Sequence, residues 1–549
     1  MSYLAGNVPQ GFEQWELEEA QRLSALSSLT YRHRMAILLS AGLVTAVEVS
    51  NRISINALLP DMQGNVGANS DEISWVIILY NVGFLCSLAL AAWMTRVIGT
   101  RRHLLISIGF YSIGAMGCVL SAHSLDRLLI SRLIMGFGGG AFLVRTIILS
   151  RMLFPGKALI GAVTWLYIVL FVCEIPYPVA MGWITDQLHW NYAFLIDFPF
   201  LAIGAFLIWK TIPPGYLFQR KPGVHVDSWG AMLLIASLAC LQTALSRGER
   251  DLWLESSWIA LALAAAGICF AAFLWWEARP ENTSPVFHLR LIWRQGSLRA
   301  SFSIILILGA FLGAGLYLTP QYLRFVQDYS ATQTGGFISL YNAGLGAGLL
   351  LSLRVLIPRL GGVRTIGIGL AGLIATYGTI VYLFTPTTPT AVLAPAIFLQ
   401  GFSLAPVVIA AANVATANTP LPDLNDISTT YFFVRQLGNT FGVTAVTILF
   451  DHRMTFHSSR ILDVAHRLDP TVRSTLAQYT ELIRRNGGGS SDPVLGALQI
   501  FQGNVITQSM LLSYIDIYFG LAAIALLALI LLVIGRIKPK AGPHHFFPW

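Results

Sequence analysis

Glu48 and Arg52 stand four residues apart, one helical turn, inside an otherwise apolar run from Met35 to Leu59. Holding either charge in hydrocarbon costs at least about 2–3 kcal/mol, so a carboxylate and a guanidinium at that depth mark a site. The chemistry open to them is proton handling. Desolvation favours a neutral acid and a neighbouring arginine favours a carboxylate, so a carboxyl balanced between the two can take up a proton in one conformation and release it in another. A second acid, Glu174, lies deep in another apolar run, and Arg132 and Arg145 supply further cations. Either Glu48 or Glu174 is then a candidate proton carrier, with Arg132 stabilising the deprotonated state. The plainer reading is a permanent Glu/Arg pair that only orders helices, since structural ion pairs perturb acids as well.

The elements that must position these residues are membrane spans. The chain has 549 residues, of which 55% are hydrophobic and only 11% charged, with a mean hydropathy of +0.65. A soluble domain carries about 25% charged residues, so this composition describes a polytopic membrane protein. The net charge of +8 does not point to nucleic acid, because the basic residues form short clusters between apolar runs. Cys86, Cys118, Cys173, Cys240 and Cys269 are scattered singly without metal-binding or redox spacing and read as small buried hydrophobes. No charged segment followed by a short apolar core and a cleavage site opens the chain, so the first span is expected to serve as the targeting signal. Residues 12–28 mix Phe12, Trp15, Leu23 and Leu26 with many charges, a pattern that fits either a short interfacial helix or a solvated arm.

Apolar stretches of about 20 residues give roughly fourteen spans, near 35–59, 73–95, 103–122, 126–150, 158–184, 191–212, 228–246, 256–276, 300–323, 333–353, 363–384, 389–416, 428–450 and 511–535. An even count puts both termini on one side. Linkers bearing Arg96, Arg101 and Arg102, then Arg151 and Lys157, Lys210, Arg220 and Lys221, Arg290, Arg294 and Arg299, and Arg354, Arg359 and Arg364 alternate with loops nearly devoid of basic residues, and Arg536, Lys538 and Lys540 follow the last span. By the positive-inside rule both termini are cytoplasmic. The long linker from Asp451 to Met510 is then outside, with Gly487–Gly489 marking a hairpin tip.

An R-x-x-G-x-R pattern occurs twice, as Arg96, Gly99, Arg101 after the second span and as Arg359, Gly362, Arg364 after the tenth. Its recurrence at equivalent places predicts two six-span bundles made by duplication, with the spans near 228–276 as an inserted pair. The loops either latch the bundles on the cytoplasmic side or simply set topology by charge.

The first span ends Asn51-Arg-Ile-Ser-Ile-Asn56-Ala-Leu-Leu-Pro60, similar to a D-x-T-x-x-N-x-A-L-P signature. Trp93 to Gly99 with Arg101 and Arg102, Arg132 to Gly136 (an R-x-x-Q-G pattern), and Pro178 to Gly182 followed by His189-Trp190 and Phe194 to Pro199 (an H-W-x-x-x-F-x-I-N-x-P continuation) also fit, as do Pro320 to Tyr322, Tyr329 to Ala331, Arg435 to Gly438 and Gln508 to Asp516. In this order they resemble the fourteen-span drug:proton antiporters of the major facilitator superfamily, the EmrB/QacA-like group, over roughly residues 40–535. The departures are that Asn51 occupies the place of the first-span acid, Met135 that of the glutamine, and Tyr177 and Met181 those of glycines. Asn51 cannot carry a proton, and Glu48 is the nearest substitute, one turn earlier on the same face.

What the resemblance implies is an all-α membrane protein of the major facilitator fold, two six-helix bundles plus two inserted central helices. The arm is 1–34, the bundles 35–212 and 300–535, the inserted pair 228–276, the periplasmic hairpin 451–510 and the cytoplasmic tail 536–549. The first, fourth and fifth spans would border a central cavity where Glu48, Glu174, Arg52 and Arg132 meet. Tyr80, Asn81, Trp165, Tyr167, Tyr317, Gln321, Tyr341 and Asn342 are the candidate lining of an amphipathic pocket, the alternative for each being ordinary packing. Pro176 and Pro178, with Gly182 after them, make either a bend that shapes the interface between bundles or an ordinary kink. Arg435 needs a partner, water or a snorkelling route. The expected function is export of small amphipathic compounds by proton antiport and alternating access across the bacterial inner membrane, with lipids around it and a long outer segment that either docks a periplasmic adaptor or caps the exit. Alternatives are a dedicated exporter of one lipid-like metabolite and a non-coupled scaffold or sensor. No phosphate loop, H-E-x-x-H or metal spacing occurs, so no cofactor and no enzyme activity are expected.

Overall fold

The computed structural model describes residues 29–534 except 69, 155–157, 213–226, 280–285, 287–295, 417–423, 466–469 and 486–492. The N-terminal arm up to residue 28, the Gly487–Gly489 tip, the tail and the Arg96 side chain lie outside the described residues. Among the described residues there is no strand. The helices are α1 (Tyr31–Val66), α2 (Ser70–Ile98), α3 (Thr100–Val119), α4 (Leu125–Gly139), α5 (Phe142–Leu153), α6 (Ala158–Glu174), α7 (Tyr177–Gln187), α8 (Asp197–Thr211), α9 (Ser228–Arg247), α10 (Ser257–Ala278), α11 (Gly296–Phe325), α12 (Ala331–Leu351), α13 (Gly362–Leu383), α14 (Thr390–Thr416), α15 (Leu424–Val464), α16 (Pro470–Arg485) and α17 (Pro493–Ile534).

Among the described residues, thirteen helical stretches are long and apolar enough to cross a membrane, α4 with α5 and α6 with α7 each counting as one. The expected span 428–450 lies inside α15, which is not among the thirteen because Arg435, Gln436, Asn439 and Thr440 dilute its hydropathy. The break between α6 and α7 falls at Ile175 and Pro176, and Pro178 opens the new helix where a missing N–H costs nothing.

Lipid tails are as apolar as leucine, so these helices associate through close van der Waals packing, and small residues set how closely. A Cβ built at Gly136 of α4 would fall 2.1 Å from the Tyr80 carbonyl of α2, and one at Gly401 of α14 would fall 2.1 Å from the Tyr341 carbonyl of α12. Gly138 meets the Tyr111 backbone and Gly140 the Phe84 carbonyl with the same closeness, so the three-glycine run is a packing surface. Helix α9 packs against α2 and α15, whereas α10 packs on α9 and leaves Leu261 and Ile268 exposed.

The two arginine loops share one backbone. Gly99 at φ 83°, ψ 157° and Gly361 at φ 79°, ψ 164° each precede the next helix, and each N–H reaches back four residues, to Thr95 and to Ile357, at 2.9 Å. The glycine equivalent to Gly99 is therefore Gly361 and not Gly362, which is already the first residue of α13. The spacing misleads by one residue because two glycines are adjacent and only the backbone angle separates them. Only glycine is at ease at these angles, so Gly361→Ala is expected to cost about 1–3 kcal/mol and Gly362→Ala to be neutral or slightly stabilising, read from thermal melting of the purified protein.

The outer segment is helical rather than a linker. α15 has 41 residues and α17 has 42, each about 60 Å long against a hydrocarbon core of about 30 Å, so both project well beyond a bilayer. Asp516 of α17 accepts from Arg453 at 2.6 Å and pairs with His457 at 2.7 Å, which ties the two helices where they emerge. On α16, Val472, Leu476, Tyr479 and Ile483 recur at helical spacing on the half-covered face, and Asn504 of α17 donates to the Tyr479 hydroxyl at 2.9 Å.

Candidate functional site

α1 sets the geometry, because its residues at three- and four-residue spacing share one stripe. Glu48 is fully buried, and its Oε1 accepts from Arg52 Nε at 2.9 Å and from the Tyr80 hydroxyl of α2 at 2.9 Å. Arg52 also lies over the Phe84 ring, 4.9 Å from its centroid. The helical turn thus makes a real ion pair. Gly139 of α4 admits the acid, since a Cβ there would fall 2.8 Å from Glu48 Cγ.

Arg132 does not reach Glu48. Its guanidinium lies 4.3 Å from the Tyr80 ring centroid, and Nη1 donates to Asn51 Oδ1 at 3.3 Å. Asn51 Nδ2 in turn donates to Asp197 Oδ2 at 3.1 Å and to the Tyr177 hydroxyl at 3.2 Å, while Tyr177 donates to Asp197 Oδ1. Asp197, the first residue of α8, is fully buried and was absent from the sequence-derived candidates. The signal for it was in the motif, because Asp197 stands where the H-W-x-x-x-F-x-I-N-x-P pattern has asparagine.

Glu174 is buried, but among the described residues it makes no salt bridge; Asn342 Nδ2 of α12 donates to its backbone carbonyl at 3.2 Å. Arg145 lies within electrostatic reach of His103. Arg435 packs over the Phe432 ring at 5.0 Å and borders a small apolar gap between α11 and α14.

A cavity of about 300 Å³ opens beside the ion pair, between α1, α2, α9, α11 and α15. Tyr80, Asn81, Tyr317 and Gln321 line it together with Arg52 and Arg132. The other aromatic and amide candidates sit elsewhere. Trp165 is 53% exposed on the outer surface, Tyr167 stacks on Phe171, Tyr341 is in the core of the α11–α17 group, and Asn342 bridges to α6. α6 is apolar all round, so nothing in its sequence tells an inward aromatic from an outward one. Sequence reasoning also missed the part of α9: Gln242, Ser246 and Glu249 line the cavity, and Thr440 of α15 donates to Gln242 Oε1 at 2.8 Å.

Two contacts join the helix groups at the end away from Tyr31. Arg324 of α11 pairs with Asp61 of α1 at 2.7 Å, and Asp186 of α7 accepts from Ser330 Oγ and the Thr332 N–H, both at 2.9 Å, at the head of α12. There α7 and α12 touch backbone to backbone: a Cβ at Gly182 would fall 2.4 Å from the Ala331 carbonyl, and one at Gly335 2.3 Å from that of Pro178. At the other end Arg354 donates to Thr164 at 3.3 Å, while Arg101 turns to the Trp209 ring at 5.8 Å within its own helix group.

The sequence is similar to the multidrug export protein EmrB of Haemophilus influenzae, 25% identical over 92% of this chain and 96% of that protein. It is also similar to the fatty acid resistance protein FarB of Neisseria gonorrhoeae, 24% identical over 86% of this chain and 90% of that one. Among solved structures, the MFS proton:xylose symporter XylE superposes with a TM-score of 0.56 at 12% identity, over 92% of this chain and 96% of that one, a likeness of fold. The sequence profile of the Major Facilitator Superfamily matches residues 41–443. With its all-helical architecture and its membrane-crossing helices, this multi-pass membrane protein belongs to the Major Facilitator Superfamily.

Proposed function

We propose that this protein exports small amphipathic compounds, drugs or metabolites, by proton antiport and alternating access. The observation that carries the reading is the cavity itself, in which an apolar and aromatic wall meets a buried Glu48–Arg52–Tyr80 cluster. A substrate reaching Tyr80 or Arg52 touches the partners that hold the Glu48 carboxyl, so binding and protonation compete for the same groups. The α1–α8 and α11–α17 groups are the two six-helix bundles that rock about the cavity, with α9 and α10 inserted between them. Arg101, Arg359 and Arg364 flank the Gly99 and Gly361 turns, and by the positive-inside rule that end is cytoplasmic, which supports a bacterial inner-membrane protein with both termini inside. The α15–α17 extension is then periplasmic, and its half-exposed helices offer a surface to an adaptor protein.

A lipid-like substrate has specific support. Arg52, Arg132 and Arg250 line a largely apolar cavity against one lining carboxylate, Glu249, a balance that suits an anionic head on an alkyl body, and FarB is named for fatty acid resistance.

The test uses reconstituted vesicles and ethidium or a long-chain fatty acid as probe. Glu48→Gln is expected to lower gradient-driven transport at least about tenfold, about 1.4 kcal/mol, while leaving probe binding in place. Glu174→Gln tests the second acid in the same assay. Full gradient-driven transport in both folded variants overturns the coupling role of these acids.

A further inference from the structure

We infer that Asp197 is a further proton-binding carboxyl of this transporter, one whose protonation releases the contact between α1 and α8. The inference rests on the proton-antiport reading. It starts from an exchange. Position 51 carries asparagine where the resembled signature has aspartate, and position 197 carries aspartate where the resembled continuation has asparagine. The two residues are 146 apart in sequence, yet their side chains meet at 3.1 Å. The pair keeps one carboxyl and one amide and moves the carboxyl from α1 to the head of α8.

The hydrogen-bond inventory says what a proton would do there. A carboxylate only accepts, and both Asp197 oxygens are used, Oδ1 by the Tyr177 hydroxyl and Oδ2 by Asn51 Nδ2. The Asn51 amide cannot turn round, because Arg132 only donates and holds Asn51 Oδ1 at 3.3 Å. When a proton adds to the carboxylate to give the carboxylic acid, one new O–H bond forms and nothing else is broken covalently. On Oδ2 the oxygen keeps a lone pair for the Asn51 N–H but loses its negative charge, so the α1–α8 hydrogen bond falls from charge-assisted to neutral strength. On Oδ1 it faces Tyr177, which must reverse its own hydroxyl and leave that hydrogen without its acceptor. In both cases a charge-assisted bond is weakened or lost, so the charged acid favours the closed contact and the neutral acid favours its release. Release of the proton breaks the same O–H bond and restores the contact.

The titratable and charged groups around Asp197 are Tyr177 from α7, Arg132 from α4, and Tyr111 and Cys118 from α3, with Glu48 of α1 and Tyr80 of α2 within electrostatic reach of Tyr111. Among the described residues Asp197 makes no salt bridge, whereas Glu48 is committed to Arg52. This is the difference that frees Asp197 to change state without breaking an ion pair.

The experiment is pH-difference infrared spectroscopy of the purified full-length protein, which follows the carbonyl stretch of protonated carboxyls and needs no substrate. Asp197→Asn is expected to remove one titrating carboxyl band that Asp126→Asn leaves intact. The exchange variant N51D/D197N is expected to fold, to regain a titrating band at a shifted position, and to recover ethidium transport lost in D197N. An unchanged band pattern in D197N overturns the inference, as does an exchange variant that folds without regaining the band. If neither variant folds, the pair is a structural contact and the inference is again overturned. Should the band behave as expected while ethidium moves no protons in the wild type, the antiport reading fails and the proton site stands.

Discussion

Replacing Arg132 by alanine is expected to abolish gradient-driven export, with a drop of at least about 100-fold, and to cost about 2–4 kcal/mol of stability. The side chain is almost fully buried and serves several groups at once: it stacks on Tyr80, which bonds Glu48, and it donates to Asn51, which bonds Asp197. Both acids of the site therefore feel its loss, one through a ring and one through an amide. Arg132→Lys is the sharper variant. An ammonium keeps the charge but cannot both spread over the Tyr80 ring and reach the Asn51 oxygen, so transport is expected to fall about tenfold while the protein stays folded. Ethidium efflux from vesicles and thermal melting of the same preparations separate the two losses.

The second large effect is expected at Gly182. A valine there drives its Cβ to within 2.4 Å of the Ala331 carbonyl and 2.6 Å of the carbonyl carbon, and a backbone carbonyl cannot rotate away as a side chain would. The clash forces α7 and α12 apart, at a cost of about 1–3 kcal/mol to this arrangement. The Asp186 contacts with Ser330 and Thr332 span the same junction and are lost with it. The protein is then biased towards the conformation open at that end, and turnover nearly stops although binding persists. Gln63→Cys, near the mouth of the cavity, is expected to react faster with a membrane-impermeant maleimide in the Gly182→Val background than in the wild type. Equal labelling rates would show that α7 and α12 do not form this closure.

What the sequence made legible is what local rules govern. The Glu48–Arg52 pair follows from four-residue spacing on a helix, and the spans follow from the length of apolar runs. The contact of Asn51 with Asp197 obeys no local rule, because it needs the first and sixth spans side by side, and the altered motif letter at 197 gains meaning only from that contact. The cavity aromatics divide for a related reason. Tyr80, Asn81, Tyr317 and Gln321 reach it while Trp165 faces outward, and a helix apolar on every side offers no periodicity from which to tell them apart. The extension past Asp451 was legible only in part, as a segment too long for a connector and helical near Phe456 to Leu476, because hydropathy reports no polar helix and so does not give its bounds. The register of the duplicated loop turned on Gly361 against Gly362, a choice made by φ and not by residue type.

Proton antiport is the centre of this account, and substrate-induced proton movement tests it most directly. The purified protein is reconstituted into vesicles carrying a pH-sensitive dye in their lumen, and ethidium, a neutral amphipathic dye and a long-chain fatty acid are added in turn. At least one of them is expected to move protons across the membrane opposite to its own flow, and the signal is expected to collapse in Glu48→Gln. Transport of a probe with no proton movement, or no response to any of the three from folded protein, would contradict proton antiport.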